Sequence, residues 1–245
     1  MSEQDHLIVT NINKIVLLIP YGSGMIDFFH HDCVMRVMGE NQLILIPVQG
    51  ASAIDTVRCV LANKALQITD AEILMWIDSD ILFQPNQLMS MCVRLRESDY
   101  DVIGGLYAKR TPSGGIAGQP LVSPQSIVMF STDDLIDAHH LGFGFTAVKR
   151  QLLLDMPLPE CYFPNVGAGK FKGKPFFLPQ IRDEVYQPED VAFCQRVRDM
   201  GRKIGIHTKP RLQHRGMYDY GLEDASFKLT RYDELTVHFE PEKST

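Results

Sequence analysis

Residues 73–85 read ILMWIDSDILFQP: five apolar residues run into two aspartates one residue apart, and the chain then turns apolar again. An apolar pentad bounded this way reads as a strand buried on both faces. Residues two apart in a strand point the same way, so Asp78 and Asp80 share a face if the extended geometry persists. They stand at the C-terminal end of the strand, outside which open α/β sheets bind their ligands. Two adjacent carboxylates repel unless a cation or a shared proton intervenes. A hard divalent ion, Mg²⁺ or Mn²⁺, fits an all-oxygen setting and bridges carboxylates to phosphate oxygens. The competing reading is a solvated turn in which the aspartates cap the helix that Pro85 opens.

The segments on either side have the same character. Lys14 to Ile19 is a compact apolar run closed by Pro20-Tyr21-Gly22. Met25 to Met38 reads as a helix, Gln42 to Val48 as a strand and Ala53 to Gln67 as a helix. Pro85 suits a first helical turn and starts a helix reaching about Glu97. Asp101 to Leu106 is a further strand. Apolar strands separated by helices imply a parallel sheet covered on both faces. Beyond residue 110 the pattern changes. Ser126 to Ser131 and Leu141 to Val148 read as strands, and Pro157 to Pro188 as a loop-rich stretch. Glu189 to Met200 follows as a helix closed by Gly201, then a short strand from Lys203 to Thr208 and a tail with a helix near Asp224 to Leu235. The expected fold is a Rossmann-like, mostly parallel sheet flanked by helices in one domain of 245 residues. About residues 1–110 read as a nucleotide-binding-type half, about 111–216 as a substrate-facing half, and 217–245 as a tail.

Bulk properties exclude little but point one way. The chain is 45% hydrophobic and 22% charged, with a formal charge of −6. An acidic balance argues against nonspecific nucleic-acid binding, which needs a basic face. The five cysteines, Cys33, Cys59, Cys92, Cys161 and Cys194, are odd in number and widely spaced, as in a reduced intracellular protein. The opening MSEQDHLIVTNINK lacks a basic region followed by an apolar one, so no signal peptide is expected. No apolar run approaches the length of a bilayer span. A cytoplasmic location follows, with peripheral membrane contact left open.

Several motifs, in order, resemble those of the GT-A-fold nucleotide-sugar glycosyltransferases, in particular the broad family 2 type. They spread over about residues 14–216. The turn PYGSG at residues 20–24 is similar to the family's base-binding turn. Thr56-Val57-Arg58-Cys59 lies where the family has an A-R-N motif; Arg58 matches and Cys59 replaces the asparagine. WIDSDILFQP looks like the D-x-D signature with its following proline. His140-Leu141-Gly142-Phe143-Gly144-Phe145 resembles the glycine-bearing strand before the acceptor region. PEDVAFCQRVRDMG, Pro188 to Gly201, resembles the family's E-D helix, and Leu212-Gln213-His214-Arg215-Gly216 resembles the segment with the late metal-binding histidine.

The resemblance implies transfer of a sugar from a UDP- or GDP-linked donor to a carbohydrate or other hydroxyl acceptor, by inversion. It implies Mn²⁺ or Mg²⁺ held by Asp80 and His214, with Asp78 near the ribose or the metal. Donor contacts would come from Pro20, Tyr21, Gly22, Arg58, Asp78, Ser79, Lys109, Gly142 and Gly144. Asp190, with Glu189 beside it, would be the general base that deprotonates the acceptor; in a retaining enzyme it would only position the acceptor. Each residue also has a plainer reading. Glu189 and Asp190 suit a helix N-terminus, Arg58 a helix surface, and Gly142 and Gly144 a bend. The run GAGKFKGK at 167–174 lacks the Walker pattern and reads as a lid or an irregular excursion. His30-His31-Asp32 is not expected to bind metal, because neighbouring side chains on a helix diverge. Two other functions compete: a sugar nucleotidyltransferase, disfavoured by the absence of Lys or Arg in PYGSGM, and a noncatalytic nucleotide- or sugar-binding module of the same fold.

Overall fold

A computed structural model describes residues 14–21, 27–40, 44–49, 53–110, 115–123, 125–166, 169–216, 219–222 and 235–239. The first half alternates strand and helix: β1 (Ile15–Tyr21), α1 (Phe28–Glu40), β2 (Ile44–Gln49), α2 (Ile54–Ile68), β3 (Ile73–Ile77), the two-residue β4 (Ile81–Leu82), α3 (Pro85–Glu97) and β5 (Val102–Gly105). There follow β6 (Gly118–Pro120), β7 (Gln125–Met129), β8 (Leu135–Leu141), β9 (Phe145–Lys149), α4 (Arg150–Asp155), β10 (Cys161–Val166), β11 (Gly169–Gly173), β12 (Gln180–Arg182) and β13 (Val185–Gln187). Last come α5 (Glu189–Asp199), β14 (Ile204–His207), β15 (Gln213–Arg215), β16 (Asp219–Tyr220) and β17 (Leu235–Phe239).

Eight strands form the central sheet in the order β2-β1-β3-β9-β5-β14-β8-β6. β1, β2 and β3 pair in parallel, as do β5 and β14, whereas β9 and β8 run antiparallel to their neighbours. Six strands therefore share one direction and two oppose it. The apolar runs are double-faced, as a sheet covered on both sides requires. In β1 and β3, Val16, Leu18, Leu74 and Trp76 join one buried cluster with α2 and α5, while Ile15, Leu17, Ile19, Ile73, Met75 and Ile77 join another with α1 and α3. The period of two along each strand is thus written into two separate cores. α3 begins at Pro85, as the sequence predicts, and it is closed by a capping box between Gln84 and Gln87, not by the aspartates.

Four expectations need correction. The apolar stretch from Leu141 to Val148 is not one strand: β8 ends at Leu141, the turn Gly142-Phe143-Gly144 reverses the chain, and β9 begins at Phe145. A Cβ at Gly142 or Gly144 would lie 2.5 or 2.6 Å from the Tyr107 hydroxyl, so this crowded turn excludes larger residues. The stretch read as loop-rich, 157–188, holds two antiparallel strand pairs, β10 with β11 and β12 with β13. Asn63 pins the first of them to α2: its Oδ1 accepts the Lys174 amide at 2.9 Å and its Nδ2 donates to the Lys174 carbonyl at 2.8 Å. Helix α1 starts later than read, because Asp27 accepts the amides of Phe29 and His30 at 2.9 and 3.1 Å and so caps it. Leu235 opens strand β17, paired with β7, and the rest of the tail helix read at 224–235 lies outside the described residues.

Candidate metal-diphosphate site

The two aspartates stand where their strand leaves the sheet, as the sequence implied, and two separate devices hold them. The Asp78 amide donates to the Gly144 carbonyl at 2.9 Å, tying the end of β3 to the Gly-Phe-Gly turn. The Ile81 amide donates to the Asp78 carbonyl at 3.0 Å, closing a turn over Asp78–Ile81. The chain then enters β4, which pairs antiparallel with β15: His214 sits opposite Ile81, and the Arg215 amide donates to the Asp80 carbonyl at 2.7 Å. A three-stranded ribbon, β16-β15-β4, thereby carries His214 across more than a hundred residues of sequence to the side of Asp80. Its Nε2 lies 3.4 Å from Asp80 Oδ2.

The orientation of His214 is fixed from behind. Its Nδ1 is 2.8 Å from the Ala108 carbonyl, which can only accept, so Nδ1 carries the proton. The Tyr107 ring packs edge-on against the imidazole at 5.3 Å between centroids. In the neutral ring Nε2 is then a lone pair aimed at a carboxylate oxygen. Two acceptors face each other comfortably only with positive charge between them, either a ring proton or a metal ion. A histidine whose far nitrogen donates to a backbone carbonyl is the usual posture of a metal ligand.

Asp78 is engaged elsewhere. Both its oxygens lie 2.9 Å from Nη2 of Arg58, and Nη1 of the same guanidinium donates to Glu189 Oε1. Arg58 is no surface cation: its side chain is 5% exposed and lies over the Phe143 ring. One arginine thus bolts the end of β3 to the first turn of α5. Burial alone would lower its pKa, but the charges of Asp78 and Glu189 outweigh that and raise it. One guanidinium between two carboxylates leaves an excess negative charge. Accordingly burial lifts both Asp78 and Glu189 above the ordinary carboxylate range even with Arg58 pulling the other way. Burial also pushes Asp80 up, but His214 and Arg110 prevail and hold it low; Arg110 Nη2 lies 3.0 Å from Asp80 Oδ2.

The remaining sequence candidates fall as follows. Glu189 is engaged by Arg58, and Asp190 Oδ1 accepts the Val191 amide at 2.8 Å. Ser79 is half-buried between the two aspartates, and Lys109 is exposed. Pro20 is buried at the end of β1 and pairs with Val48; Tyr21 follows it, while Gly22 and the rest of the PYGSG turn lie outside the described residues. Gly142 and Gly144 closely approach Tyr107, whose hydroxyl accepts the Gly144 amide at 3.0 Å. His30 is fully buried and Nδ1 donates to the Ile81 carbonyl at 3.0 Å, so it braces the backbone after Asp80. Asp32 pairs with Arg36.

Sequence reasoning missed Tyr107 and the Ala108 carbonyl, and it gave His30 no role beyond not binding metal. The first sat unremarked in GGLYAKR, and a backbone acceptor carries no residue signature.

Among the described residues no three His, Cys, Asp or Glu side chains converge into a ready-made metal group. The donor set nevertheless fits a divalent ion of the kind that takes one or two protein ligands and completes its shell with phosphate oxygens and water. Asp80 and His214 would be those two. Asp78, Asp80, Glu189 and Asp190 against Arg58 and Arg110 leave a net charge of about −2 with His214 neutral, so a diphosphate would be repelled unless a cation came with it.

No family model and no curated protein matches this sequence. Solved structures do. The structure titled "Crystal Structure of A197 from STIV" superposes with a TM-score of 0.61 at 17% identity, over 89% of this chain and 97% of that one. A crystal structure of GalNAc-T7 with UDP, GalNAc and Mn2+ matches with a TM-score of 0.50 at 8% identity, over 85% of this chain and 45% of that one. At such identities the likeness speaks to architecture alone. No helix among the described residues is long and apolar enough to cross a membrane. The protein has a GT-A-like α/β fold, with Asp78, Asp80, His214 and the first turn of α5 brought together at the C-terminal end of β3.

Proposed function

We propose that this chain is a divalent-metal-dependent glycosyltransferase that moves a sugar from a UDP- or GDP-linked donor to a hydroxyl acceptor with inversion. The observation that carries the proposal is the Asp80–His214 pair, assembled by the β4–β15 ribbon and oriented through Ala108. The GalNAc-T7 structure with UDP, GalNAc and Mn2+ supports the ligand class by analogy of fold.

Asp80 and His214 would hold the cation. When bound, it would neutralise the charge that develops on the departing diphosphate, without any proton transfer. The Ala108 carbonyl keeps the proton on Nδ1 of His214 and so keeps the Nε2 lone pair available. Arg58 fixes the distance between the two halves of the site by gripping Asp78 and Glu189 together. Pro20, Tyr21 and Gly22 would bound the nucleotide end, and Ser79, Lys109 and the Gly142–Gly144 turn the donor's sugar end. Asp190 accepts the proton of the attacking hydroxyl; its neighbour Glu189, pinned by Arg58, cannot leave to do so.

The test is turnover of UDP- and GDP-sugars in Mn²⁺ against saccharide and other hydroxyl acceptors. Nucleoside diphosphate release that requires Mn²⁺ and disappears in Asp80→Ala is the expected result. Donor binding with no release against any acceptor would make the chain a binding module instead.

A further inference from the structure

Asp80 already has a cation. Arg110 Nη2 sits 3.0 Å from Oδ2, the same oxygen that faces His214 Nε2, while Arg110 Nη1 donates to the Arg215 carbonyl at 3.1 Å. The guanidinium therefore occupies the mouth of the position where the proposed divalent ion would bind. It comes from the segment that also orients the histidine, since Ala108 lies two residues before it. The side chain of Arg110 is 46% exposed, and an ion pair this wet is weak and readily exchanged.

We infer that Arg110 is the built-in counter-ion of Asp80, competing with the divalent cation for that carboxylate and transferring to the diphosphate once the cation is seated. This rests on the proposed metal-diphosphate site. The physical reasoning is short. An arginine cannot give up its charge, so it cannot share one carboxylate oxygen with a dication without strong repulsion. It must swing away, and the nearest new anion is the diphosphate that arrives with the metal. A planar guanidinium matches phosphate oxygens in pairs. The arrangement has two consequences. Metal binding without nucleotide is weakened, because Arg110 must be displaced for nothing in return. Metal and diphosphate together are favoured, because the displaced charge is reused.

The experiment compares wild type with Arg110→Gln and Arg110→Lys in two titrations. Binding of Mn²⁺ alone is followed by the loss of the free-ion electron paramagnetic resonance signal, and binding of UDP and GDP at saturating Mn²⁺ by calorimetry. Arg110→Gln should bind Mn²⁺ alone about threefold tighter, the scale of an exposed ion pair. It should bind the diphosphate about tenfold weaker, the scale of a lost charge-assisted hydrogen bond. Arg110→Lys, which keeps the charge and loses the fork, should match wild type for the metal and fall between the two for the diphosphate. Unchanged or weaker Mn²⁺ binding in Arg110→Gln overturns the competition, and an unchanged diphosphate affinity overturns the transfer. If wild type itself binds neither UDP nor GDP with Mn²⁺, the site reading falls and this inference with it. If wild type binds and Arg110→Gln is indistinguishable from it, the inference alone falls.

Discussion

Replacing Arg58 with methionine should cost more stability than any surface charge change in this protein. The guanidinium is 5% exposed and is held by Asp78 and Glu189, whose side chains are 25% and 16% exposed. Methionine fills much of the same volume, so packing loss is small and the penalty is the stranding of two half-buried carboxylates. Removing one partner of a buried pair costs ~3–5 kcal/mol, and the residual exposure of the acids puts this case near ~3 kcal/mol. For a chain of this length that corresponds to a fall in melting temperature of roughly 6–12 °C.

The loss should also depend on pH in a specified direction. Burial already raises both carboxyls, and without Arg58 they rise further. The folded variant then binds protons that the unfolded chain does not, so its deficit against wild type narrows as pH falls from 7.5 toward 4.5. Adding Asp78→Asn and Glu189→Gln should restore part of the loss at neutral pH, as comparison of this triple variant with Arg58→Met would record. Urea unfolding followed by circular dichroism at pH 7.5 and 5.0 measures all of this. A loss below about 1 kcal/mol, equal at both pH values, would show that Arg58 is an ordinary exposed pair and refute the bolt between β3 and α5.

Three further outcomes follow. Asp190→Asn should bind Mn²⁺ and donor as wild type does yet lose transfer, because only the proton acceptor is gone; normal turnover would reject its role as base. Gly144→Ala should cost roughly 1–3 kcal/mol by overpacking against Tyr107. Tyr107→Phe should not rescue it, since the ring carbon Cζ would remain 2.7 Å from the new Cβ. Burial lowers the pKa of both His30 and His207, so the unfolded chain takes up protons first on acidification. Stability should therefore fall as pH drops below about 6.5, by up to ~1.4 kcal/mol per pH unit for each histidine that stays neutral when folded. A flat melting temperature between pH 7 and pH 5.5 would contradict this.

The central strands and the helices between them were legible because burial on both faces leaves an unmistakable signal: ILMWI and IVLLIP permit little else. The acidic strand end was legible for the same reason, as a polar pair terminating an apolar run. Other features depended on contacts that no local pattern encodes. The turn at Gly142–Gly144 hid within a continuous apolar stretch, and the close packing that reserves it for glycine is against Tyr107, just past the end of β5. The β10–β11 hairpin looked like a Gly-Lys-rich excursion because its anchor, Asn63, lies on a helix a hundred residues earlier. Arg58 read as a donor contact or a helix-surface cation, and not as a link to Glu189, because helix periodicity does not reveal which face meets a distant α5. The two aspartates pose the same lesson: the sequence suggested one shared counter-ion, whereas Asp78 has Arg58, and Asp80 has Arg110 and His214.

The most direct test of the account is calorimetric titration of UDP and GDP into wild type and Asp80→Ala, each in Mn²⁺ and in excess chelator. The expected result is a diphosphate bound by wild type only in Mn²⁺ and by Asp80→Ala in neither condition. A diphosphate bound equally well in chelator, or bound by Asp80→Ala as by wild type, would contradict a cation held at Asp80 and His214.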